Sequence, residues 1–80
     1  MAMAKSSGIP LSNLKPGESG RVLAIEGDIR QKLYLRGLFE GCVVRVISRF
    51  PVILEVDGRA IAVGRGVAKK IIVERIIKNK

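Results

Sequence analysis

Eighty residues with a formal charge of +8, one cysteine, no histidine and no tryptophan make a single small domain and exclude most familiar chemistry. The missing histidine removes the commonest metal ligand and the commonest general base near neutral pH, and one cysteine excludes an intramolecular disulfide and a cysteine-rich zinc site. With 48 % apolar but only 4 % aromatic residues, the core has to be built from Val, Ile, Leu and Ala, which suit a pleated, half-buried surface.

No apolar run approaches the roughly 18 residues that span a bilayer. The opening segment MAMAKSSGIP carries a lysine but lacks the apolar stretch of a secretory signal. Residues 1–8 therefore read as a flexible N-terminal tail and residues 9–80 as the domain, in a cytoplasmic protein without membrane insertion.

Leu11 and Leu14 flank Ser12-Asn13, and Lys15-Pro16-Gly17-Glu18 has the proline and glycine of a type II turn. A first strand is expected over about Gly20–Ile25, with Val22 and Ala24 on one face and Leu23 and Ile25 on the other. Gly27-Asp28 ends it, and Asp28 is placed to cap a helix over Ile29–Arg36. Two turns do not survive alone, so this helix needs a sheet beneath it, with Leu33 and Leu38 as anchors. Gly37 can take the left-handed conformation that closes it.

Phe39-Glu40-Gly41 reads as a turn, and β-branched residues then take over. In the second strand, Val43–Ser48, Arg45 marks the wet face and turns Val44 and Val46 inward. After a break at Phe50-Pro51, a third strand over Val52–Val56 points Val52, Leu54 and Val56 inward. Asp57-Gly58 is the strongest hairpin signal in the chain, leading to a fourth strand over Arg59–Val63. Gly64–Ala68 makes a short crossing of about one helical turn, and Lys70–Ile76 is the fifth strand. The sum is a mainly β fold: a small, partly open SH3-like barrel of about five strands with one short helix after the first, an OB-type barrel being the rival.

Few residues offer chemistry. Cys42 beside Glu40 supplies two metal ligands where a closed zinc site takes four. Gly64-x-Gly66 lacks the Gly-Lys-Ser/Thr ending of a phosphate loop and reads as a chain reversal. No cofactor, metal or catalytic residue is therefore expected. Tyr34, Phe39 and Phe50 are the only aromatics; they either seal the ends of the core or stand exposed as contact anchors. On the second reading, Leu35, Phe39 and Phe50 form an apolar contact patch rimmed by Arg36 and Arg49. Arg45, Ile47, Arg49 and Ile53, with Ile72, fall on outward strand faces and leave self-association open. The basic residues are scattered without a block of five and without stacking aromatics, which makes nucleic-acid binding the weaker use of the charge.

The order and spacing of these elements resemble the FeoA family, the small cytoplasmic component of ferrous iron uptake. Leu11-Ser12-Asn13-Leu14-Lys15-Pro16-Gly17-Glu18 is similar to the family's opening and Gly20-Arg21-Val22 to its first strand. Leu33, Gly37-Leu38, Gly41, Val44 and Val46 resemble its central helix-to-strand segment. Pro51, Leu54, Val56, Gly58, Ile61-Ala62-Val63, Ala68, Ile71 and Val73 resemble the closing hairpin and last strand. Glu40 stands where the family has proline, Gly64 and Gly66 replace charged residues, and the Ser48–Pro51 loop is short. The resemblance implies a non-enzymatic module that docks on the cytoplasmic part of a GTP-binding ferrous iron transporter and modulates it. It also implies kinship with the C-terminal domain of DtxR-type metalloregulators, hence the alternative of a basic nucleic-acid-binding or regulatory domain. The transition-metal binding attached to the family finds little to use in Cys42 and Glu40.

Overall fold

The computed structural model describes residues 8–77. In chain order its elements are β1 (Ile9–Pro10), β2 (Ser19–Ile25), α1 (Arg30–Leu35), β3 (Val43–Arg49), β4 (Val52–Val56), β5 (Arg59–Val63), α2 (Arg65–Lys70) and β6 (Ile71–Ile76). All strand pairs are antiparallel, and the sheet runs β1-β6-β2-β3-β4-β5 without closing. The mainly β, partly open SH3-like fold is thus present with all five expected strands. Two features are additional: the two-residue edge strand β1, paired to β6, and α2, a full six-residue helix where one turn was expected. The tail expected over residues 1–8 lies, Gly8 apart, outside the described residues.

Alternation works best along β3, β4 and β5. Val44 and Val46 are buried on β3, Val52, Leu54 and Val56 on β4, and Ile61 and Val63 on β5. The β4–β5 hairpin turns through Asp57 (φ 56°) and Gly58 (φ 82°), the two left-handed residues of a type I′ connection. On β2 simple alternation fails. Val22 and Ile25 are both buried while Leu23 is exposed, because the register with β6 slips between Val22 and Ala24. A bulge there adds one residue and reverses the phase, so Leu23 and Ile25 do not share a face.

Asp28 does not cap α1. It lies inside a 3-10 turn, Gly27–Ile29, so the residue before the helix is Ile29, already in the helical region and making no side-chain cap. The other end of α1 is closed as expected. Gly37 N–H donates to the Tyr34 carbonyl at 3.0 Å and Leu38 N–H to the Leu33 carbonyl at 2.9 Å, the crossed pair of a Schellman motif. Gly37 takes φ 91°, and a side chain there would also run into the Arg59 guanidinium. The two leucines brought together by this turn are both buried, Leu38 at 0 % exposure.

Among the described residues every buried apolar side chain is aliphatic, contributed by all the longer strands, both helices, the Leu11–Asn13 turn, and Leu14 and Leu38 in the connections. Three substitutions test this account by chemical denaturation. Leu38→Ala is expected to lose about 2–5 kcal/mol, the cost of a cavity in an aliphatic core. Gly37→Ala is expected to lose about 1–2 kcal/mol from the left-handed backbone alone. Ile47→Ala, on the outer face of β3, is expected to change stability by less than about 0.5 kcal/mol.

Candidate protein-contact surface

With the core closed by aliphatic side chains, all three aromatic rings are outside. Tyr34 is 62 % exposed, Phe39 43 % and Phe50 70 %. None of them seals an end of the core.

The α1 turn sets one group. Leu33 and Leu38 face inward, so Tyr34, Leu35 and Phe39 face outward, Leu35 at 79 % exposure. The Tyr34 and Phe39 rings meet with centroids 5.5 Å apart and a 53° tilt, a favourable aromatic geometry. They line a shallow cleft with Ile25, Arg30, Gln31 and Glu40, across which Arg30 and Glu40 pair at 3.2 Å. Arg36 has a different task. Its guanidinium donates to the Ala62 carbonyl at 3.0 Å on β5. In the two-residue hairpin, Val56 pairs with Arg59 and Ile53 with Ala62, which places the Ala60 and Ala62 backbone groups on the outer edge of the sheet. Arg36 covers one of the carbonyls through which another strand would add.

The β3–β4 turn sets the other group. Phe50 projects from it, with the Arg49 guanidinium 5.6 Å and the Arg65 guanidinium 5.2 Å from its ring centroid, both within cation–π range. Arg49 also donates to the Ser12 carbonyl at 3.4 Å. These residues border a cleft of about 250 Å³ whose apolar lining includes Leu11, Leu14, Val46 and Val52 and whose third cation is Lys69. Arg65 and Lys69 come from α2, and nothing in the local sequence marks them as neighbours of Phe50.

The five residues expected to form one patch are therefore divided. Arg49 and Phe50 are together; Leu35 and Phe39 belong to the α1 end; Arg36 reaches β5. Phe39 and Phe50 precede and follow the seven-residue β3, so roughly 20 Å of strand lies between the two groups at about 3.3 Å per residue.

A sequence model of the FeoA domain matches residues 9–75. The chain belongs to the FeoA family. Among solved structures it is similar to an iron uptake regulatory protein, FeoA, at 36 % identity and a TM-score of 0.81, over 88 % of this chain and 99 % of that one. It is similar to part of T. acidophilum IdeR at 26 % identity and a TM-score of 0.82, over 94 % of this chain and 37 % of IdeR. A FeoA-like protein from Clostridium acetobutylicum shares the fold at 22 % identity and a TM-score of 0.81, over 95 % of both chains. A comparison with curated proteins finds no match.

Glu40 and Cys42, the two donors weighed for a metal, each have a partner within the protein. Glu40 is paired with Arg30, and the Cys42 thiol points to the Gly37 carbonyl at 3.6 Å. Among the described residues no three of His, Cys, Asp and Glu come together. Gly64 and Gly66 make no phosphate cradle: Gly64 is extended and Gly66 lies within α2. No helix among the described residues is long and apolar enough to cross a membrane.

Removing Arg36 tests its role as edge cover. Arg36→Ala is expected to leave the fold intact and to raise concentration-dependent self-association, read by sedimentation velocity. Equal sedimentation of the variant and the parent at all concentrations would count against edge protection.

Proposed function

We propose that this FeoA chain is a non-enzymatic, cytoplasmic interaction module of ferrous iron uptake. It docks on the cytoplasmic part of a GTP-binding iron transporter and biases that protein's conformation. Membership of the family over residues 9–75 supports the system, as does the 36 % identity with a FeoA iron uptake regulatory protein. The exposed rings support the mode of action. A small domain with few aromatics that keeps them all on its surface has them available for a partner, and aromatic and arginine side chains are the types that dominate contact energies.

The Phe50 end is the centre of the proposed face, since Phe50 and Arg49 act there together. Leu35 and Phe39 form a second contact, within the span of a standard interface of about 800 Å² per partner. Arg36 borders that contact while holding β5.

A regulatory or nucleic-acid-binding role is the second reading, motivated by the likeness to part of IdeR. The pairing of the charges weighs against phosphate tracking. Arg30, Arg45 and Arg75 each face a glutamate at 3.2–3.8 Å, so part of the positive surface is already balanced.

Capture of the transporter's purified cytoplasmic region by immobilised protein tests the docking reading. Phe50→Ala is expected to weaken capture by about tenfold or more, and Ile47→Ala to leave it unchanged. Capture at the parental level by both Phe39→Ala and Phe50→Ala would remove the proposed face.

A further inference from the structure

The cleft beside Phe50 has a chemistry that the docking reading does not specify. Its rim carries Arg49, Arg65 and Lys69, and no carboxylate lines it. None of the three cations forms an ion pair with a carboxylate among the described residues, whereas Arg30, Arg45 and Arg75 all do. Between the cations the lining is mostly apolar: the exposed Phe50 ring and the outer edges of the buried Leu11, Leu14, Val46 and Val52, with Ser12 and Asn13 beside them. The volume of about 250 Å³ falls below the roughly 300–1,000 Å³ of small-molecule pockets, so it suits a side chain rather than a cofactor. The two guanidinium groups already lie against the Phe50 ring, which a nucleobase would otherwise use for stacking.

We propose that the Phe50 cleft binds an acidic peptide segment that carries one aliphatic anchor. The anchor packs on the Phe50 ring over the edges of Leu11, Leu14, Val46 and Val52, and flanking carboxylates meet Arg49, Arg65 and Lys69. Charge complementarity selects the segment: three unpaired cations around an apolar floor reject a basic or purely apolar chain. This rests on the docking reading and supplies the chemistry of the partner's segment.

The test uses the full chain and a synthetic peptide of glutamates flanking one central leucine, followed by amide NMR shifts. Saturable shifts at Leu11–Leu14, Arg49–Val52 and Arg65 are expected. Replacing the peptide's leucine by serine is expected to weaken binding about tenfold, the worth of one buried aliphatic side chain. The double variant Arg49→Ala/Arg65→Ala is expected to weaken it by a similar factor of about ten. Lys69→Ala, which leaves the Phe50 packing untouched, is expected to weaken it less. Absence of saturable shifts at the cleft overturns the proposal, as does equal affinity for the leucine and serine peptides. Displacement of the peptide by an oligothymidylate that binds the same cleft more tightly overturns it in favour of nucleic acid. The transporter is absent from this experiment, so its outcome is independent of the capture assay: peptide binding without Phe50-dependent capture removes the docking reading alone, and the reverse removes the peptide alone.

Discussion

Leu33 and Leu38 meet beneath a glycine that has turned left-handed, and much of the molecule follows from that contact. A helix of six residues has no stability of its own. The crossed hydrogen bonds around Gly37 stop α1 after Leu35 and bring Leu38 back against the core, where it is fully buried. This fixes the phase of the whole segment. With 33 and 38 inward, Tyr34, Leu35 and Phe39 have nowhere to go but out, and Arg36 is left beside β5.

The same economy of volume governs the rest. A small open sheet lined by Val, Ile and Leu fills its interior without a ring, so the few aromatics become surface features. Phe50 stays exposed because it sits in the β3–β4 turn, and the guanidinium groups beside it cover part of its apolar area without burying it. A fold built this way is portable. The chain matches a free-standing FeoA along nearly all of that protein and a part of the much longer IdeR. What the module does in each setting is then decided by its surface and not by the barrel.

The strands β3, β4 and β5 were legible in the sequence because Arg45 and Glu55 mark the wet faces and Asp57-Gly58 permits only a tight hairpin. The Gly37 closure was legible for a similar reason, since glycine after a short apolar-periodic stretch has one common use. What stayed hidden depends on partners far along the chain. Ile9-Pro10 is a strand only because β6 lies beside it, and the bulge in β2 is visible only against β6. Asp28 has the composition of a cap, but the 3-10 turn takes the place a cap needs. The candidate surface was half legible. Exposure of Phe39 and Phe50 follows from their turns, and their separation follows from the strand expected between them, a consequence the single-patch expectation did not draw. The positions of Arg65 and Lys69 follow from the packing of α2 on the Leu11–Asn13 turn, which no local pattern records.

The central claim is that this domain acts by contact, through the end of the barrel that carries Phe50. Hydrogen–deuterium exchange of the chain, alone and mixed with the cytoplasmic region of a GTP-binding ferrous iron transporter, addresses it most directly. The account predicts slowed exchange over Leu11–Leu14 and Ser48–Val52, with the outer face around Leu23 unchanged. Protection confined to that outer face, or none anywhere at saturating partner, would contradict it.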